Sequence, residues 1–403
     1  MKYYIRKIHQ WLGLTSGLLV FIIAITGCLY AFQEEIQNWT QPHRFVEKEN
    51  REFLLPSTLS AIATKQLPAK HLHSVKYNKN GQAAEAIFYH YEPTYYYIMY
   101  LNPYSGKVLH TQNMEEGFFP FILKGHFYLW FPPEIGQPIV AISTLIFLVM
   151  IISGLFLWWP KSQKTAKSRT WFRWKSTTKW KRKNFDIHAI LGFYSFFVAI
   201  IFAVTGLVWG FQWFAYGFYK SMGGEKSLVY EEPLSQKATA IAGNGLDILY
   251  AKLMAETPNL EDIEVHPPET ETSPIAVNTN VDAGTYWKID YRYFDQYSLQ
   301  ELEVGHIYNR FDQSTFADKL MRMNYDIHTG AVFGLAGKIF MFLVSLLIAS
   351  LPITGFLFWY GRRKGNQKSE GEKLKEISAK ISRNILPKIS KMNAERKKSA
   401  KIS

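Results

Sequence analysis

HQWLGLTSGLLVFIIAITGC, residues 9–28, follows the short basic start MKYYIRKI. Ile25-Thr26-Gly27-Cys28 resembles a lipobox, so the stretch reads either as a removable signal or as a permanent membrane helix. A second copy decides between them. HAILGFYSFFVAIIFAVTGLVWGFQ, from His188, keeps His, Gly (13 and 192), Thr-Gly (26–27 and 205–206) and Phe-Gln (32–33 and 211–212) at the offsets they have from His9. A signal peptide has no reason to recur in mid-chain, and Leu207 stands where the first copy has Cys28. The sulfur lies outside the repeated pattern, whereas His9 belongs to it.

Working outward, near-uninterrupted apolar runs at Trp11–Phe32, Ile139–Trp159, Ile190–Phe214 and Ile339–Tyr360 are each long enough for the ~20 helical residues that a hydrocarbon core requires. The chain has 403 residues and is 48% hydrophobic, too long for one simple domain and too apolar for a disordered one. The expected fold class is an α-helical membrane protein with α+β extracytoplasmic domains, built as a tandem duplication of helix, outer domain, helix. The expected segments are helix 1 in 1–33, an outer domain in 34–136, helix 2 in 137–160, a basic loop in 161–184, helix 3 in 185–214, a second outer domain in 215–332, helix 4 in 333–361 and a basic tail in 362–403. Parallel repeats of this kind favour a pseudo-two-fold axis along the membrane normal.

Charge sets the expected orientation. The connection Lys161–Lys183 holds ten Lys and Arg residues and no acid, which places it, with both termini, in the cytoplasm. The two long segments are then periplasmic, and the net charge of +13 is a topology signal with no nucleic-acid partner behind it. The basic tail is read as a solvated, partly disordered end. The single Cys28 excludes an intramolecular disulfide and a covalent Cys-x-x-Cys-His haem site.

Helices 2 and 4 resemble each other more loosely. Ser153-Gly154 and Thr354-Gly355 lie near their ends, and His126 and His328 precede them, 28 and 27 residues before those glycines. The four histidines therefore fall on two levels: His9 and His188 at the cytoplasmic starts of helices 1 and 3, His126 and His328 at the outer starts of helices 2 and 4. Neutral imidazole is the common axial ligand of b-type haem in helical bundles, and two facing helices with one His each fill both axial positions. Two non-covalent, bis-His haems b are expected, with His9 paired to His188 and His126 to His328 as the iron ligands. From His9 to Gly27 is ~27 Å of helix, so each haem would meet His from one helix pair and Gly27, Gly206, Gly154 or Gly355 from the other. Gly13 and Gly192, one turn after their histidines, clear the same face.

The flanks differ between the halves. Lys7 and Lys124 stand two residues before His9 and His126 and are read as partners of haem propionates, with Arg6, Lys338 and Arg322 as weaker candidates. Asp186 and Asp326 stand two before His188 and His328, either orienting an imidazole N–H or capping a helix. His43, His71, His73, His90, His110, His266 and His306 lack metal-ligand spacing. No Ser-His-Asp set, HExxH, phosphate loop or dinucleotide fingerprint is present.

RKIHQWLGL near the start, PPEIGQPIV with ISGLFLWWPK, FDIHAILGFY with TGLVWG, and DIHTG with ITGFLFW together resemble the PepSY-associated transmembrane proteins, which include iron-regulated membrane proteins and inner-membrane ferric-siderophore reductases. The resemblance runs to about residue 362. It implies PepSY-like outer domains, two haems b on the four motif histidines, and one-electron reduction of a ferric siderophore or other ferric chelate in the periplasm of a bacterial inner membrane. The donor would be cytoplasmic or a quinol. The aromatic run Tyr89–Tyr104 and the acids Asp290, Asp295 and Asp312 are minor candidates for lining the substrate site, since aromatic strands are ordinarily core. Two other classes stand beside the enzyme: an electron-transfer subunit for another periplasmic reductase, and a non-enzymatic PepSY-type binding or regulatory protein.

Overall fold

The structure is a computed structural model that describes residues 1–78, 81–160, 162–236 and 241–384. Among the described residues four helices are long and apolar enough to cross a membrane: Lys2–Tyr30, Pro133–Trp158, Trp180–Gly210 and the span Ala331–Arg363. A helix satisfies its own backbone hydrogen bonds, which is the condition for crossing lipid. The fourth helix runs from Gly334 to Asn384, well into the basic stretch read above as a solvated end, and positions 385–403 of that tail lie outside the described residues, as does Lys161 of the basic loop.

By contacts the chain divides into two compact units. The first comprises Met1–Gly17, Ser153–Tyr194 and Ser350–Ser403; the second comprises Leu18–Ile152 and Ser195–Ala349.

The second unit contains one antiparallel sheet of eight strands: β1 (Leu72–Asn78), β2 (Ala84–His90), β3 (Tyr95–Leu101), β4 (Val108–Asn113), β5 (Asp262–His266), β6 (Ile275–Asn280), β7 (Asp290–Phe294) and β8 (Glu301–Leu302). Their order is β4-β3-β2-β1-β5-β6-β7-β8. The outer segments were expected as separate small domains. Instead β1 pairs with β5, Val75 opposite Val265 and Lys76 opposite Glu264, so each half covers an edge that the other would leave unpaired.

Alternation along the strands gives the sheet two unlike faces. One face is apolar and receives the helices Pro56–Gln66 and Gly245–Glu256, burying Leu59, Leu253, Phe88, Leu101, Val277 and Phe294 together. Ser57 of one helix clips to Asp247 of the other, its N–H and Oγ 2.9 and 2.6 Å from the carboxylate. The other face is polar. A row crosses it in register: His110, Tyr100, Glu85, Lys76, Glu264, Asn278 and Tyr291. Burial pushes the Glu85 carboxyl up against the pull of Lys76. Burial acts the same way on Glu264, but His266, Lys76 and Ser74 together hold that carboxyl below its usual range.

Candidate functional site

In the first unit, His9 and His188 face each other with ring centroids 6.4 Å apart and planes at 77°. The other two helices supply what surrounds them. Gly154 stands against His9 and Gly355 against His188, so that a Cβ at either would lie 3.3 Å from the ring's Cε1. Ser153 Oγ and Thr354 Oγ1, one residue earlier, each lie 2.9 Å from the Nδ1 of the same ring.

The second unit holds a second pair. His126 and His328 have centroids 6.2 Å apart and planes at 71°. A Cβ on Gly27 would lie 3.0 Å from His126 Cε1, and His126 Nδ1 donates to the Ile23 carbonyl at 2.8 Å and lies 3.3 Å from Thr26 Oγ1. Thr205 Oγ1 lies 2.7 Å from His328 Nδ1. Gly206 departs from the pattern: its nearest neighbour is the Thr144 methyl at 3.4 Å, and His328 rests instead against Phe202 and Trp209. Burial, then the nearby His126, lowers His328 to about 3, and burial lowers His126 against its carbonyl partner. Both rings are thus held neutral, the form in which imidazole binds a metal.

Local sequence explains how the histidines reach these places. The short helix Phe118–Tyr128, which carries His126, turns directly into the second membrane helix because Gly136 lets it pass the Tyr128 backbone; a Cβ there would lie 2.1 Å from that carbonyl oxygen. His188 and His328 share the surroundings Asn-x-Asp-Ile-His. Asn184 donates to the Thr354 carbonyl at 2.9 Å and Asn324 to the Thr205 carbonyl at 3.1 Å, so each asparagine ties its histidine's segment to the residue that meets that histidine's Nδ1.

The chain matches one family description, the PepSY-associated TM region, over residues 6–362. The chain belongs to the PepSY-associated TM family. No curated protein matches it. The matched range takes in all four paired histidines of this PepSY-associated TM protein, and family and helices together make it a multi-pass membrane protein.

The residues fit a bis-His haem. Two imidazoles bound to one metal along a common axis, with a metal–nitrogen bond of ~2 Å and a ring radius of ~1.1 Å, hold their centroids ~6 Å apart. Both pairs have that separation. Three of the expected glycines stand at the rings themselves, clearing imidazole. A Cβ on Gly192 would lie 3.9 Å from the Leu351 side chain, in ordinary van der Waals contact.

The flanking acids take neither role expected of them. Asp186 accepts from Arg182 and from Trp174 Nε1, and Asp326 accepts the backbone N–H groups of Tyr286 and Trp287. The hydroxyls before the glycines do the orienting instead. Their signal in the sequence is the Ser/Thr-Gly pair on all four helices, legible as small residues but not as hydrogen-bond partners. Lys124 pairs with Glu115, Lys338 with Glu35, and Arg322 donates to Ile289, Asn309 and Ser314. Asp290 and Asp295 fasten loops, at Phe311 N–H and at the 297–298 turn, and Asp312 is exposed beside Arg310. Among the described residues no group of three or more His, Cys, Asp or Glu is arranged to hold a metal ion.

An aromatic ladder leaves the His126–His328 pair of this PepSY-associated TM protein. Trp209 lies 5.2 Å from His328, Tyr325 6.4 Å from Trp209, and Tyr286 5.0 Å from Tyr325, centroid to centroid. The ladder ends at Tyr286, which is exposed.

Proposed function

We propose that this protein is a bacterial inner-membrane reductase that holds two haems b and passes single electrons across the membrane to a ferric siderophore or related ferric chelate in the periplasm. The reading rests on one observation: two half-buried imidazole pairs at bis-ligand separation, each built from all four membrane helices or the segments that adjoin them. In this reading the chain is a tandem duplication with cytoplasmic termini, and the electron donor is a cytoplasmic carrier or a quinol.

Haem b bound at these pairs would supply reversible one-electron exchange. His9 and His188 would hold one haem, and His126 and His328 the other. With a protein imidazole on each side of the group, a ferric complex would be reduced at a distance and not by coordination to the haem. Trp209 and Tyr325 line the way from His328 to the exposed Tyr286, beside which we assign the ferric complex. Hard oxygen ligands hold ferrous iron less tightly than ferric, so reduction loosens the metal.

The test is a reduced-minus-oxidised absorption spectrum of the purified protein, expected to show a b-type α-band that is lost when His9→Ala and His328→Ala are combined. No band, or an undiminished one in the double variant, overturns the haem assignment. A normal band with no oxidation of the dithionite-reduced protein by ferric siderophore overturns the substrate assignment and leaves an electron-transfer subunit.

A further inference from the structure

We propose that acceptors fixed on Nδ1 (Thr205 for His328, Thr354 together with the Leu351 carbonyl for His188, and the Ile23 carbonyl for His126) preset the tautomer of the paired histidines, so that Nδ1 carries the proton and Nε2 presents its lone pair before any metal group arrives. The purpose of this device rests on the haem reading; the tautomer itself is a property of the chain.

A hydroxyl has one hydrogen, and in each of Thr26, Thr205 and Thr354 a carbonyl of the preceding helical turn takes it. Thr26 Oγ1 lies 2.7 Å from the Ile22 oxygen, Thr205 Oγ1 2.6 Å from that of Ile201, and Thr354 Oγ1 3.0 Å from those of Ser350 and Leu351. A carbonyl only accepts, so the hydroxyl donates along its own helix. What it turns to the neighbouring imidazole is a lone pair. His328 and His188 answer with Nδ1 at 2.7 and 2.9 Å. For His126 the assignment is independent of any hydroxyl, because its Nδ1 is 2.8 Å from the Ile23 carbonyl oxygen, a partner that cannot donate. A neutral imidazole has one N–H. With it placed at Nδ1, Nε2 is the nitrogen left to bind metal.

Free histidine in water favours the opposite tautomer, with the proton on Nε2. In an unprepared site, ligation through Nε2 would have to move that proton while the ring sits in an apolar environment. Acceptors fixed on Nδ1 remove this step, and they also hold the ring's rotation, the usual work of partners behind a metal-binding histidine. The asparagine clamps from Asn184 and Asn324 to the carbonyls of Thr354 and Thr205 steady the acceptors in turn. Ser153 meets His9 Nδ1 at 2.9 Å in the fourth position.

The test uses the full-length protein in detergent, with 15N-labelled histidine and prepared without haem. Nitrogen shifts of His188 and His328 are expected to report Nδ1–H at neutral pH. Thr205→Val keeps the side-chain shape and is expected to lose that signature at His328, and Thr205→Ser is expected to restore it. In the haem-loaded protein Thr205→Val should release haem from the His126–His328 pair at least about tenfold more readily and shift its midpoint potential. Thr26→Val and Thr354→Val should do less, because the Ile23 carbonyl still holds His126 and the Leu351 carbonyl still holds His188. An Nε2–H signature in the unsubstituted protein overturns the inference whatever the haem content. So does a Thr205→Val protein whose shifts, haem retention and potential match the unsubstituted one. An Nδ1–H signature in a protein that binds no haem leaves the inference standing and overturns the haem reading alone.

Discussion

Gly27 on the first membrane helix stands against the imidazole of His126: a Cβ at this position would lie 3.0 Å from Cε1 and 3.3 Å from Nδ1. Gly154 and Gly355 hold the same relation to His9 and His188 at 3.3 Å, whereas Gly206 meets only the Thr144 methyl. Alanine at 27, 154 or 355 must therefore displace a ring hemmed in by a fixed hydrogen bond, and overpacking of this kind costs about 1–3 kcal/mol. With two haems per chain as proposed, Gly27→Ala, Gly154→Ala and Gly355→Ala should each lose one of them in a pyridine haemochrome assay, while Gly206→Ala keeps both. Equal loss in all four would show that the glycines clear the macrocycle and not the imidazoles.

The near-perpendicular ring planes, 77° in one pair and 71° in the other, have a spectroscopic consequence. Each imidazole raises the iron orbital that shares its π symmetry, and crossed planes raise two of them almost equally. If both pairs hold haem as proposed, the oxidised protein should give strongly anisotropic low-spin electron paramagnetic resonance signals with a large leading g value from both. Well-resolved rhombic signals would mean that the rings are closer to parallel.

Asp318, fully buried, receives the Thr315 N–H at 2.9 Å and the Lys226 ammonium at 3.1 Å. Burial by itself raises this carboxyl, but Tyr219, Thr315 and Lys226 together hold it below the usual range. A depressed folded-state value means that the stabilisation is complete above the unfolded carboxyl's ~4 and disappears as pH falls through the folded value. Asp318→Asn should lower the melting temperature at pH 7, by the equivalent of about 3 kcal/mol, and the gap should close on acidification below about pH 4. A gap that does not change with pH would assign the loss to packing.

Lys76 lies opposite Glu85 on one side and Glu264 on the other, with Asp262 at 3.7 Å. It joins the two halves of the sheet at their shared seam. Lys76→Met should destabilise the protein by about 3 kcal/mol in denaturant unfolding, because it leaves carboxylates in a buried setting without their cation. Adding Glu264→Gln should recover part of the loss; a strictly additive double variant would show that the lysine and glutamate are not coupled.

Much of this protein was readable along the chain. Hydrophobic runs of membrane length are long, continuous signals, and the offsets of His, Ser/Thr-Gly and Phe-Gln repeat between helices because each helix carries its own copy. Histidine candidates and their division into two groups follow from such local spacing. The partners of each imidazole do not. Ser153 is 144 residues from His9, and Thr205 is 123 from His328; which of them meet depends on helix rotation and packing, and no local window records either. Asp186 and Asp326, next to their histidines in sequence, turn toward Arg182 and toward the 286–287 backbone instead. The same holds for the sheet, where α+β outer segments were legible but the seam at Val75 and Val265 was not. Sequence alone determined four membrane helices and the histidines they carry, since burial in lipid and helical spacing act locally. Tertiary structure decided what holds each imidazole and how the strands join, since those contacts are made between segments that meet only when the chain has folded.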